Sequence, residues 1–271
     1  MTKKAIAVQA VVFDISGTVM DYGSRGPVAA FIELFARHGV TIMEAEARGP
    51  MGKHKLDHVW ALLSEPSIAG RWEAATGQMP TRATLEEIYA GFGAIQREVL
   101  RRHLDLIPGV AGVAAWLRQR GIRIASTTGF EQSMMDDVKA AAREQGYEPE
   151  VWVTPDLVGG GRPAPWMMYY AARQLGVYPL STFVKVGDTA ADIGEARNAG
   201  TWAVGVVASG NETGLARAEW DGLPEAERAE RFERVGRRFR ELGAHAVIGT
   251  VAELPAVIED ICRRLEAGEK P

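Results

Sequence analysis

Short apolar runs ending in polar or glycine-rich turns alternate with stretches of helical period along most of this chain, and one long stretch breaks the alternation. The first run, Val11-Val12-Phe13, leads straight into Asp14 and the turn Ile15-Ser16-Gly17-Thr18, the pattern of a strand whose C-terminal end presents a carboxylate. After the turn-rich segment 21–27 the period becomes helical over 28–38, 44–48, 53–63, 68–76 and 85–104, with almost no β-rich run between. Pro108-Gly109 closes that block. Helices over 110–120, 133–145, 165–175 and 190–199 then alternate with strands over 123–126, 151–153, 183–186 and 202–207. The tail adds helices over 225–242 and 251–266 around a short strand at 246–248.

Repeated αβ units of this length predict an α/β fold, a Rossmann-like and mostly parallel sheet with helices on both faces. The helical block interrupts it, so the predicted organisation is discontinuous: residues 1–24 and 106–271 form the sheet core, and 25–105 an inserted all-helical cap. Two crossings at glycine-containing turns suit a hinge that lets the cap close.

Composition narrows the classes. With 31 basic and 35 acidic residues mixed along 271, and net charge -4, no footprint for nucleic acid or membrane lipid is present. A single cysteine, Cys262, excludes an internal disulfide and suits a reducing, cytoplasmic setting. The basic start at residues 1–5 is not followed by a signal-peptide pattern, and no run approaches the roughly 18 apolar residues of a membrane span.

Candidate chemistry gathers at the predicted strand ends. Asp14 would stand at the floor of a crevice, as a nucleophile, as a cation ligand, or merely as a turn residue. Thr127-Thr128-Gly129 offers hydroxyls and free amides to an anionic oxygen. Gly187-Asp188-Thr189 brings a second carboxylate and Asp192 a third; such carboxylates repel unless a cation lies between them, although Asp188 alone would also serve as a helix cap. The stretch 154–166 is too rich in glycine and proline for regular structure and carries one cation, Arg162, either a clamp for phosphate oxygens or a surface charge. Within the helical block, Met51, Lys55 and His58 share one face of a turn and helix. A desolvated lysine there would be neutral enough to condense with an aldehyde, but the same pair also describes a solvated face, and spacing does not choose between Lys53 and Lys55.

Carboxylate, hydroxyl, cation and carboxylate arrive in chain order at successive loops of one sheet, an arrangement that resembles the haloacid dehalogenase superfamily over essentially the whole chain. Most phosphatases of that superfamily carry Asp two positions after the nucleophile as general acid. Here that position is Ser16, which protonates an alkoxide poorly and so argues against an ordinary ester leaving group. Pro50-Met51-Gly52, Lys55, Asp57-His58-Val59, Ser126-Thr127-Thr128-Gly129, Gly161-Arg162-Pro163-Ala164-Pro165-Trp166 and Gly187-Asp188-Thr189 resemble the phosphonoacetaldehyde hydrolase (phosphonatase) family in particular. That resemblance implies cleavage of the P–C bond of phosphonoacetaldehyde, with Asp14 attacking phosphorus, Lys55 forming an imine and His58 assisting proton transfers. It assigns Met51, Gly52, Thr128, Gly129 and Arg162 to the substrate, and Mg²⁺ to Asp14, the Ser16 carbonyl and Asp188, with Asp192 as outer support. It also implies a homodimer. The family normally has Ala at Ser16, commonly Tyr at Phe130, and often Cys near Ser24. The rival expectations are a related phosphatase for another small substrate and a silent binding protein on the same fold.

Overall fold

In the computed structural model, which describes residues 7–271, β1 (Ala10–Phe13) is four buried apolar residues, as suits a strand covered on both faces. The basic start at 1–5 lies outside the described residues. Helices follow β1 with no strand among them: α1 (Arg25–Ala36), α2 (Glu44–Arg48), α3 (Lys55–Leu63), α4 (Pro66–Thr76) and α5 (Arg82–Leu100). Then the alternation begins, with α6 (Val110–Gln119), β2 (Arg123–Thr127), α7 (Met135–Glu144), β3 (Val151–Val153), α8 (Pro155–Val158), α9 (Trp166–Leu175), β4 (Phe183–Gly187) and α10 (Ala190–Ala199). It ends with β5 (Trp202–Val206), α11 (Arg217–Gly222), α12 (Glu225–Glu241), β6 (Ala246–Ile248) and α13 (Leu254–Glu266).

Several ends differ from the sequence expectation for local reasons. α1 starts three residues early because the Asp21 carboxylate takes its first free amides, those of Arg25 at 3.0 Å and Gly26 at 2.9 Å. α3 starts at Lys55 rather than 53, behind Gly52 at φ 88°. Within the stretch expected to be irregular, Pro155 opens the short α8 and Gly159, at φ 73°, ends it. The expectation failed there because proline and glycine are also helix-end residues. α11 was not anticipated at all.

The strand order is β3-β2-β1-β4-β5-β6, and every pairing is parallel. β1 lies between β2 and β4, with Val12 opposite both Ala125 and Lys185, so Asp14, Thr128 and Asp188 emerge side by side at the C-terminal edge. Alternation sends Val11, Phe13, Ile124 and Val184 to one face, against Val113, Val138 and Ile258 of α6, α7 and α13. Ala10, Val12 and Ala125 go to the other, against Met167 and Met168 of α9. α1 to α5 bury a separate apolar cluster that includes Phe31, Leu34, Phe35, Val59, Ile88 and Phe92. The two chain crossings into and out of this insert pair with one another: the Asp21 amide donates to Asp105 O at 3.1 Å and the Ile107 amide to Val19 O at 2.9 Å. Among the described residues no helix is long and apolar enough to cross a membrane.

Candidate active site

Asp14 leaves β1 with its amide bonded to the Val186 carbonyl of β4 at 2.9 Å. The turn after it comes so close to Asp188 that a Cβ on Gly17, at φ 80°, would lie 2.1 Å from Asp188 Oδ2, so only glycine fits. Asp188 itself accepts from the Asn211 amide at 2.7 Å and the Thr18 hydroxyl at 3.3 Å. Asp14, Asp188 and Asp192 are all buried and offer oxygens within 4.8 Å of one another. Burial, with Asp14 and Asp192 adding to it, holds the Asp188 carboxyl well above its ordinary range. Asp192 goes the other way: burial opposes its charge, but Arg162 and Lys185 overcome that and lower it.

Arg162 is no surface charge. It is 5% exposed, and its Nη1 lies 2.7 Å from Asp14 Oδ1 and 3.1 Å from Asp192 Oδ1. Its Nε reaches Glu195 at 3.0 Å, and Nη2 donates to the Thr127 hydroxyl at 2.8 Å. Burial alone would weaken the guanidinium as a base; the three carboxylates more than reverse this. Behind it Lys185 Nζ lies 2.9 Å from Asp192 Oδ1 and 3.4 Å from Glu195 Oε2, and donates to the same Thr127 hydroxyl at 2.9 Å. The carboxylates of Asp14, Asp188, Asp192 and Glu195 thus outnumber the two cations fixed among them, Arg162 and Lys185, and Lys55 faces the same cluster from the insert. The oxygen-only donor set of Asp14, Asp188 and Asp192 is of the kind that hard cations take.

The insert supplies the opposite wall. Lys55, the first residue of α3, is 3% exposed, and its Nζ stands 5.4 Å from the ring centroids of both Phe31 and Phe130. Burial brings its amine down to about 8; Asp14 and Asp188 partly oppose that, and Arg162 adds to it. Lys53 is exposed, and of these two lysines it is Lys55 that lines the cleft. Asp14, Ser16, Met51, Gly52, Lys55, Thr128, Gly129, Phe130, Arg162 and Asp188 line one cleft. Insert and core approach closely there at two glycines: a Cβ on Gly52 would lie 2.4 Å from Thr189 Oγ1, and one on Gly129 would lie 3.0 Å from the Lys53 carbonyl.

His58 is the predicted residue that does not line the cleft. It is fully buried one turn behind Lys55, stacked on Phe31 with centroids 3.8 Å apart, its Nε2 2.9 Å from the Ala47 carbonyl. Burial first, then the Lys55 charge, hold it well below the usual imidazole range. The neutral ring therefore donates from Nε2, and Nδ1 is left as an acceptor with no partner among the described residues. The Ser16 hydroxyl turns away to Asp21 at 3.4 Å, so it is no proton donor to the cleft.

Comparison with known proteins agrees with this geometry. The haloacid dehalogenase-like hydrolase family matches residues 8–200. The phosphonoacetaldehyde hydrolase of Bacillus cytotoxicus is 49% identical over 254 residues, which cover 94% of this chain and 96% of that one. That of Bacillus anthracis is 47% identical with the same coverage. The chain belongs to the phosphonoacetaldehyde hydrolase family of haloacid dehalogenase-like hydrolases. It is a hydrolase, and the family fold extends over its whole length: the crystal structure of a phosphonoacetaldehyde hydrolase-like protein from Oleispira antarctica matches with a TM-score of 0.97 at 39% identity, covering 100% of both chains. A haloacid dehalogenase family hydrolase from Deinococcus radiodurans, solved with bound phosphate and sodium, shares the fold at a TM-score of 0.60 and 20% identity.

Lys185 and Glu195 were not singled out as site residues by sequence, although a signal existed for both, and the Thr127 hydroxyl, expected to face an anionic oxygen, accepts from Arg162 and Lys185. A lysine inside the apolar run Phe183-Val184-Lys185-Val186 of a two-sided sheet must meet an anion. Glu195 lies three residues after Asp192 and so on the same helix face.

Proposed function

We propose that the protein hydrolyses the carbon–phosphorus bond of phosphonoacetaldehyde, giving acetaldehyde and phosphate. The observation that carries this reading is Lys55, an amine desolvated to about 8 on the insert that lines the same cleft as Asp14 on the sheet. A carbanion is too poor a leaving group to depart from phosphorus unaided. The neutral Lys55 amine condenses with the aldehyde and releases water, and the resulting imine, protonated, accepts the electron pair of the breaking P–C bond as an enamine. An Asp14 carboxylate oxygen forms the new bond to phosphorus. Protonation of the enamine carbon and hydrolysis of the imine free acetaldehyde and Lys55, and a second water cleaves the aspartyl phosphate.

Thr128, Gly129 and Arg162 bind the phosphonate oxygens, Met51 and Gly52 close the cleft from the insert side, and His58, neutral with a free Nδ1, serves proton transfers at the amine from behind. Asp14, the Ser16 carbonyl and Asp188 would hold Mg²⁺, with Asp192 in support, and a cation there would offset the repulsion between carboxylate and phosphonate. Residues 25–105 act as a cap domain over a core of 1–24 and 106–271. A homodimer and a cytoplasmic location complete the reading; they are supported by the family resemblance and the lone thiol, Cys262.

Borohydride added with phosphonoacetaldehyde should reduce the imine and leave a mass adduct on Lys55. Lys55→Arg keeps a cation but cannot form an imine, so it should lose both adduct and turnover while remaining folded. An intact mass unchanged after borohydride treatment of the wild type would remove the imine from the mechanism.

A further inference from the structure

Outside every role assigned above, Arg48 ties the insert to the core. It ends α2, three residues before Met51, and its side chain is 13% exposed. Nη1 donates to the Gly23 carbonyl at 2.8 Å, the Ser24 carbonyl at 3.4 Å and Asn211 Oδ1 at 3.3 Å; Nη2 donates to the Gly214 carbonyl at 3.1 Å. Gly23 and Ser24 belong to the crossing from β1 into α1, whereas Asn211 and Gly214 belong to the core loop after β5. Glu44, the carboxylate near it, is 3.6 Å away and 61% exposed, so the partners that hold the guanidinium are the backbone carbonyls.

The core loop is shaped for this side chain. Gly214 has φ 70°, and a Cβ there would lie 2.7 Å from Arg48 Nε. A planar fork with several fixed donors can serve three carbonyls and an amide at once, which a lysine ammonium cannot. Asn211 adds a second link: its own amide holds Asp188 Oδ2 at 2.7 Å while its Nδ2 donates to the Arg48 carbonyl at 3.4 Å. One loop residue thus fixes both a cleft carboxylate and the end of α2. Arg48 does not itself line the cleft.

We propose that Arg48 is a positioning residue, a latch that holds the insert down on the loop after β5 and so keeps Lys55 buried over the sheet. What Lys55 does there rests on the functional reading above; whether it is held there does not, and it can be measured without substrate. Three lysines make the measurement self-referencing: Lys55 at 3% exposure in the insert, Lys185 at 1% within the sheet, and the exposed Lys53.

The experiment is amine acylation of the full chain in the absence of substrate, read by peptide mass spectrometry as rates at the three positions. In the wild type Lys55 should react far more slowly than Lys53. In Arg48→Ala, the Lys55 rate relative to Lys53 should rise on the order of tenfold or more, while Lys185 stays protected, as a local opening rather than unfolding requires. Arg48→Lys should restore only part of the protection. Gly214→Ala, which pushes the guanidinium out from the core side, should give the same exposure of Lys55, and it decides the matter if Arg48→Ala does not fold. Lys55 as protected as in the wild type in a folded Arg48→Ala or Gly214→Ala variant would overturn the latch, and so would Lys185 reacting as fast as Lys55. A wild type that gives no borohydride adduct while its Lys55 responds to Arg48→Ala would refute the imine and leave the latch standing.

Discussion

At the scale of single residues the proposed chemistry turns on one proton at Lys55. Its amine lies at about 8 because burial penalises the ammonium, against the pull of Asp14 and Asp188. The reactive form is the neutral one, so the rate of borohydride trapping should rise with pH to a plateau above about 8, with a slope of one below it. Because the two carboxylates favour the ammonium, a divalent cation bound between them should cancel that pull and move the limb to lower pH. A limb left at the ordinary lysine value of 10.5 would mean that Lys55 is not desolvated in solution. Ser16 and Phe130 fit the same chemistry by what they omit. The Ser16 hydroxyl is engaged with Asp21, and Phe130 gives the amine an apolar neighbour, so neither position supplies an acidic side chain in place of the proposed imine.

At the scale of elements, β4 and α10 work as a pair. β4 brings in Lys185 and ends at Asp188; α10, capped by Thr189 through Asp192, brings Asp192 and Glu195 over the sheet. Breaking such a buried set by removing one partner leaves unpaired charge, so Lys185→Met should cost roughly 3–5 kcal/mol of unfolding free energy in urea titrations. Adding Glu195→Gln should return part of that loss, because the excess negative charge falls again; strictly additive losses would show that the two side chains are not coupled. This pair also marks the limit of what the sequence could tell. Asp14, Thr128, Arg162 and Asp188 were legible because each sits in a short motif at the end of an apolar run, where strand order hardly matters. The alternation that gave the parallel sheet and the interruption that gave the insert were legible for the same local reason. Lys185, Glu195 and Thr127 meet only because β4 lies beside β1, β2 lies on its other side and α10 crosses above, and no local pattern states that order. Arg48 was hidden likewise: its acceptors are carbonyls, which carry no side-chain signature.

At the scale of the whole molecule, the arrangement that serves the reaction works against the fold. Carboxylates outnumber the cations fixed among them where the insert meets the sheet, and burial, with Asp14 and Asp192 adding to it, holds the Asp188 carboxyl well above its ordinary value. The sign follows from proton linkage. A folded-state value raised above that of the unfolded chain means that the folded protein binds more protons between the two, so this residue's contribution to stability falls as pH rises through that window. Without a divalent cation, Asp188→Asn should therefore be more stable than the wild type by about 0.5–2 kcal/mol at neutral pH, with the difference vanishing towards the unfolded carboxylate value near 3.8. An Asn at this position keeps an oxygen for the Asn211 amide, so the change removes charge with little loss of hydrogen bonding. Saturating Mg²⁺ should reverse the order: the wild type gains about 2.7 kcal/mol at a hundred times the dissociation constant, and the variant, with a ligand missing, gains less. Thermal unfolding of both proteins with and without Mg²⁺ across pH measures all four cases. A variant less stable than the wild type at every pH in metal-free buffer would show that Asp188 is an ordinary structural carboxylate, and would remove the electrostatic reason for a cation in this cleft.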